Sequence, residues 1–145
     1  MEKFSKQVDI RWSDLDPNFH LRHSVYYDWG AFVRVSFLHE NGLTAEVMQV
    51  HHIGPILLRE EALFKREIKY GDHIDMNLQL LKCKHNLSRW SMQHEVWRNG
   101  DTLCAVITID GAWLDTQLRK ITFPPESFVP AFDQLPKSKN FEWMD

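Results

Sequence analysis

The sequence predicts an α+β fold in which a curved antiparallel sheet wraps one long helix. Three observations carry that prediction. One stretch, Ser24 to Glu40, has helical periodicity. Four later stretches alternate apolar and polar residues, as half-buried strands do. The joints between them are short and carry glycine and asparagine, which tight turns favour.

Taken in order, residues 7–12 read as a first strand, with Val8, Ile10 and Trp12 opposite Gln7, Asp9 and Arg11. Ser13 to Arg22 is polar and contains Pro17-Asn18, so it is a loop. Ser24 is expected to cap the helix. Val25, Tyr26, Trp29, Phe32, Val33 and Phe37 then share one broad apolar face, and Asp28, Arg34 and His39 lie on the other. Asn41-Gly42 is the stop signal. Residues 43–55 are irregular, up to the break at Gly54-Pro55.

Ile56 to Ile68 is strand-like, and Tyr70-Gly71-Asp72 is a turn. Ile74, Met76, Leu78 and Leu80 alternate with polar residues, and Lys84-His85-Asn86 makes the next turn. Trp90, Met92, His94 and Val96 form one face of a further strand, and Asn99-Gly100-Asp101 is a hairpin signal. Leu103, Ala105, Ile107, Ile109 and Trp113 complete the series. The four late strands are expected to form an antiparallel meander. Beyond Phe123, prolines at 124, 125, 130 and 136 predict a cap or a fraying tail of roughly 20 residues.

With 145 residues and 43% apolar content, the chain suits a single domain spanning 1–145 with one core. A net charge of -3, spread along the sequence, argues against nucleic acid or a membrane surface as partner. Cys83 and Cys104 form no CxxC pair and predict free thiols in a reducing compartment. The first residues lack an apolar signal region, and no stretch is long enough to span a membrane. The expected location is cytoplasmic.

The segment from Arg11 to His23 gathers Asp14, Asp16, His20, Arg22 and His23 between a strand and a helix. Loops held by rigid elements often carry sites. His20 and His23 have HxxH spacing without an evident third ligand, so no metal is expected. His51-His52 is read as solvated, and His94 as a satisfied core histidine. Arg59, Lys65, Arg66, Lys82, Lys84 and Arg89 are candidate phosphate contacts, although a solvated sheet face is the favoured reading of any single one of them. Neither cysteine is proposed as a nucleophile.

Asp14-Leu15-Asp16-Pro17, His20, Tyr26-Tyr27-Asp28-Trp29 and the pattern Phe64, Glu67, Gly71-Asp72 resemble the 4-hydroxybenzoyl-CoA thioesterase-like family of hotdog proteins. The resemblance runs from the first strand to about Trp113. It implies the hotdog fold, a homodimer or dimer of dimers with sites at the protomer interface, and hydrolysis of an acyl-CoA or acyl carrier protein thioester without a cofactor. It assigns the catalytic carboxylate to Asp16 and the polarising donor to the backbone N–H near His23. A thioester carbonyl does need a nucleophile or base and donors for the oxyanion, which free amides at a helix start can supply.

Asp14 is expected to hold the loop. Asn18, Phe19, His20, Arg22 and Trp29 are expected at the substrate. Many members carry glycine and an asparagine pair where this sequence has Phe19 and Arg22-His23. Phe19 is therefore read as narrowing or covering the acyl pocket, and Arg22 or His23 as meeting a polar acyl group or a CoA phosphate. Two alternatives stay open. One is a hotdog enoyl-CoA hydratase, whose Asp/His loop Asp14 to His20 partly resembles. The other is a non-catalytic acyl-CoA-binding module.

Overall fold

The computed structural model describes residues 3–145. Helix α1 runs from Val25 to Glu40 and buries Val25, Tyr26, Trp29, Gly30, Val33 and Phe37. Its neighbour in the expected apolar face, Phe32, is 51% exposed. The buried row steps by three and four residues along one side of the helix, and Phe32 stands at its margin. Ser24 has helical backbone angles, and its hydroxyl caps no amide. It accepts from Arg22 Nε instead (3.0 Å). The stop at Asn41-Gly42 is as expected: Gly42 takes φ 82°, a left-handed value that glycine adopts freely.

The sheet order is β1 (Phe4–Val8), β3 (Ile74–Cys83), β4 (Arg89–Arg98), β5 (Thr102–Asp115), β2 (Ile53–Phe64). β3, β4 and β5 form the expected meander. β2 does not join it in sequence order. It pairs with β5 at the far edge, because β1 already occupies the free side of β3. The turn at residues 70–72 therefore belongs to a connection across the end of the sheet, not to a hairpin. Asn99-Gly100 does close a hairpin, with φ 53° and 82°. On β3, Ile74, Met76, Leu78 and Leu80 are buried against α1 while their neighbours are partly exposed.

The first strand lies earlier than predicted. It ends at Val8, and Trp12–Asp14 is a 3-10 turn that leaves Trp12 75% exposed. The alternation from 7 to 12 was misleading because the Asp14 carboxylate accepts from the Arg11 amide and curls the chain there. Residues 43–55 contain a short helix, α2 (Ala45–Val50), whose start is capped by Thr44. Six residues are too few for a periodic signal.

The proline-containing tail does not fray. It forms a short strand β6 (Lys120–Thr122) against β5, a 3-10 turn (Glu126–Phe128), helix α3 (Val129–Asp133) and strand β7 (Lys137–Trp143). β7 runs parallel to the end of β3. Phe128, Phe132 and Leu135 are buried, and Phe128 and Phe132 close on Trp113 with ring centroids 5.5 and 6.1 Å away. The tail packs against the core through these side chains. Its apolar content, more than its prolines, decides the outcome.

His94 on β4 is fully buried, as expected of a core histidine. Its Nδ1 donates to the Asn77 carbonyl (2.7 Å), so its Nε2 is the acceptor for Arg34 Nη1 (2.8 Å). Arg34 thus faces the interior, not the solvent side predicted for it. Gly30 permits this approach, since a Cβ there would meet Arg34 Nη1 at 3.0 Å and the His94 ring at 3.4 Å. Burial first, and the Arg34 charge second, push His94 down to about 3. No helix among the described residues is long and apolar enough to cross a membrane.

Candidate active site

The loop between β1 and α1 is built on Asp14. Its carboxylate is 1% exposed and accepts from Arg11 N (2.9 Å), Nε (3.2 Å) and Nη2 (2.8 Å). Hydrogen bonding from Arg11 holds this carboxyl below its ordinary range, against the opposing effect of burial. Asp14's carbonyl accepts from the Arg22 amide (2.7 Å), which closes the loop on itself. Arg22 reinforces the closure through Nη1 to the Ser13 carbonyl (3.2 Å).

Within this frame the chain reverses at Pro17-Asn18. Asp16 Oδ1 accepts from the amides of Asn18 (2.8 Å) and His20 (3.1 Å). Its backbone N–H donates to the His20 carbonyl (2.8 Å), and its carbonyl accepts from the Phe19 amide (2.9 Å). Oδ2 accepts no hydrogen bond among the described residues. One oxygen orients the carboxylate and the other is uncommitted.

The tight reversal requires Phe19 at φ 63°. That left-handed backbone suits glycine and costs other residues roughly 1–2 kcal/mol. Phe19 is 66% exposed and does not line the cleft. The departure from glycine therefore shows up as backbone strain.

Asp16, His20, His23 and Tyr26 line one side of a cleft of about 350 Å³, and Phe64 to Ile68 line the other. The two sides are tied together. Leu21 N donates to the Ile68 carbonyl (2.8 Å), and His20 Nε2 stands 3.0 Å from Glu67 Oε2. Glu67 is thus a site residue that the loop alone did not reveal, although it belongs to the Phe64–Asp72 pattern. Tyr26 was also missed as a cleft residue, because its helical position marks it as core. Its phenol is pushed up to about 12, chiefly by burial, with Cys104 and Asp16 adding to the shift.

The helix entrance also faces this cleft. The Val25 amide donates to the Arg22 carbonyl (3.0 Å), while those of His23 and Ser24 meet no protein acceptor among the described residues. Free N–H groups at a helix start carry partial positive charge.

Of the residues expected at the substrate, the structure brings Asp16, His20 and His23 together. Asn18 contributes its amide to Asp16. Arg22 braces the loop from outside the lining, and Phe19 lies outside it as well. Trp29 is 6% exposed and packs edge-to-face on Tyr26 (5.8 Å), behind the cleft wall. Lys65 and Arg66 are the two basic candidates that border the cleft. Arg59 pairs with Glu61, and Lys82 with Glu142. Among the described residues, no group of three His, Cys, Asp or Glu side chains could hold a metal ion.

Residues 10–132 match the thioesterase-like superfamily, a span that includes the whole of this site. The chain belongs to that superfamily. Membership carries thioester hydrolysis as its class of activity. A search of proteins with curated functions returned no match.

Solved structures of the same hotdog fold are similar over nearly the full length. A Staphylococcus aureus protein in complex with CoA superposes with a TM-score of 0.86 at 17% identity, covering 95% of this chain and 89% of its own. A DHNA-CoA thioesterase from the same organism gives 0.81 at 14% identity, covering 92% and 91%. A 1,4-dihydroxy-2-naphthoyl-CoA thioesterase from Synechocystis gives 0.80 at 16% identity, covering 92% and 98%. At these identities the likeness establishes the fold. The superfamily match carries the activity class.

Proposed function

We propose that this thioesterase-like protein hydrolyses an acyl-CoA thioester to free acid and CoA, with Asp16 as the catalytic carboxylate. The observation that carries the reading is convergence: Asp16, with one uncommitted oxygen, and His23, whose amide just ahead of α1 meets no protein acceptor among the described residues, line the same cleft. The amides at His23 and Ser24 would receive the carbonyl oxygen as negative charge develops on it. Asp16 Oδ2 would attack the carbonyl carbon or take the proton of an attacking water. In the first route the C–S bond breaks as a mixed anhydride forms on Asp16, and water then hydrolyses that anhydride to the free acid; in the second, water's oxygen replaces the sulfur directly and the proton held by Asp16 passes on. In both, the departing thiolate takes up a proton that water supplies and leaves as the thiol of CoA.

His20 supports this assignment over hydration of an enoyl ester. Its Nε2 is engaged by Glu67, which leaves Asp16 with the uncommitted oxygen at the cleft. Homodimerisation belongs to the same proposal, because β2 is an unpaired edge that carries exposed Leu57, Leu58, Leu63 and Phe64. A cytoplasmic setting and a single domain are part of the reading as well. CoA and acyl carrier protein are both admissible carriers.

The test is thiol release from a panel of acetyl-, hexanoyl-, benzoyl- and longer acyl-CoA esters, run beside crotonyl-CoA hydration. Thiol release that Asp16→Asn abolishes is the expected result. Tight ester binding with neither activity would favour the binding module, and hydration without thiol release would favour the hydratase.

A further inference from the structure

Among the described residues, Tyr26 carries the one hydroxyl in the lining of the Asp16 cleft, and the reaction derived above makes no use of it. The residue is 3% exposed. Its ring is held edge-to-face by Trp29 of α1 (5.8 Å) and by Phe64 at the end of β2 (5.0 Å). Close packing on both sides fixes the ring, and with it the position of the hydroxyl. That hydroxyl makes no hydrogen bond among the described residues. Yet it is not sealed in the core, as the unpartnered indole N–H groups of Trp90 and Trp113 are. It opens on the cleft. A phenol held this deep without an acceptor in its own chain is disfavoured until something entering the cleft supplies one.

Helix geometry locates that acceptor. Ser24 already has helical backbone angles, and Tyr26 lies three residues beyond His23, so the two share one side of the entry into α1. Side chains on a helix lean back toward its N-terminus. The Tyr26 ring therefore leans toward the turn that presents the His23 amide, which meets no protein acceptor among the described residues. Burial first, then the charges of Cys104 and Asp16, hold the phenol up at about 12. It is thus a neutral donor at ordinary pH and cannot serve as a base. Asp16 influences it without accepting its hydrogen bond. The three groups face one space: a free donor on the side chain, a free donor on the backbone and a carboxylate oxygen.

We propose that the phenol O–H of Tyr26 is a further donor to the thioester carbonyl oxygen, acting with the His23 amide on the negative charge that develops there during attack. The inference rests on the thioesterase reading given above. The phenol keeps its proton throughout and gives only a hydrogen bond. That bond is strongest where the oxygen is most negative, so it lowers the barrier more than it tightens substrate binding. Tyr26 is then a catalytic residue, although its place in the helical pattern marks it as core.

The experiment compares full-length wild type with Tyr26→Phe on acetyl-, hexanoyl- and benzoyl-CoA. Phenylalanine keeps the ring between Trp29 and Phe64 and removes only the hydroxyl, so the circular dichroism spectrum should match wild type. On every ester that wild type cleaves, kcat is expected to fall about 100- to 1,000-fold, with KM within about threefold. A second protein carries, in place of Tyr26, a tyrosine fluorinated beside its hydroxyl. Fluorine makes the phenol more acidic and leaves its shape nearly unchanged. Its kcat is expected to drop on the alkaline side, where the phenol ionises and can no longer donate, at a pH where wild type keeps its rate. Asp16, His20, His23, Lys65, Arg66 and Glu67 share the cleft and titrate in both proteins, so a limb seen only in the fluorinated one belongs to position 26.

A Tyr26→Phe protein with wild-type kcat overturns the inference and leaves the thioesterase reading standing. A raised KM at unchanged kcat overturns it too, because it would put the hydroxyl against a part of the substrate that does not react. If Tyr26→Phe does not fold, the fluorinated protein decides, and a pH profile identical to wild type overturns the inference. If wild type releases no thiol from any ester, the thioesterase reading itself fails, and this inference falls with it.

Discussion

Asp14 and Asp16 stand two residues apart on one loop and meet their surroundings in opposite ways. Asp14 is buried and takes hydrogen bonds from three nitrogens of a single arginine. Asp16 is half-buried, spends one oxygen on two backbone amides and keeps the other free at a cleft. A carboxylate whose bonds are all made can only hold a shape. One that is oriented but incompletely bonded can react. The first half of the loop builds a frame and the second half presents a group upon it.

The largest effect that tests this contrast is Asp16→Asn. The amide keeps an oxygen for the amides of Asn18 and His20, so the fold should stand. Thiol release should fall by about 100- to 10,000-fold, with the melting temperature nearly unchanged. Equal loss of stability and activity would break the distinction.

Asp14→Ala should show the reverse. Losing charge-assisted bonds to Arg11 should cost about 2–3 kcal/mol of unfolding free energy, read in a urea titration. The folded fraction should keep turnover within a few-fold of wild type, as it would not if Asp14 touched substrate.

His94 extends the Asp14 side of the comparison, being buried and bonded at both nitrogens. Its folded pKa lies near 3, below the ordinary 6.5 of the unfolded chain. The unfolded state therefore binds the proton more readily. The stability from neutral His94 is fully present above about pH 6.5 and is lost as pH falls toward 3. Urea titrations between these limits should show about 1.4 kcal/mol per pH unit more acid sensitivity in wild type than in His94→Gln. Identical slopes would mean that His94 does not titrate in this range.

The smallest effect is at Phe19, whose left-handed backbone is the strained point of the Asp16 half. Phe19→Gly should relieve that strain, partly offset by the freer unfolded chain, for a net gain of about 0.5–1 kcal/mol. Turnover should change little, because the Phe19 side chain does not line the cleft. A large rate change would assign that ring to the substrate after all.

Much of this was legible in the sequence because it is local. The α1 span, the alternation on β3 and β4, the Asn99-Gly100 hairpin and the loop carrying Asp14 and Asp16 all follow from short-range patterns. The misreadings come from non-local competition. Trp12 alternated with its neighbours yet left the sheet, because Asp14 seized the Arg11 amide. Arg34 looked solvent-facing until His94, sixty residues away, supplied an acceptor. Glu67 and Tyr26 joined the site only because β2 ends beside the start of α1.

By itself, then, the sequence determined the span of α1 and of the later strands, which side chains those strands bury, and which loop carries the two aspartates. These follow from periodicity and turn chemistry over a few residues. Tertiary structure decided which strand pairs with which, where the tail packs, and which of the two aspartates keeps a free oxygen. Those outcomes depend on groups distant in the chain competing for the same hydrogen-bond donors and the same apolar surface, and a linear pattern does not record who wins.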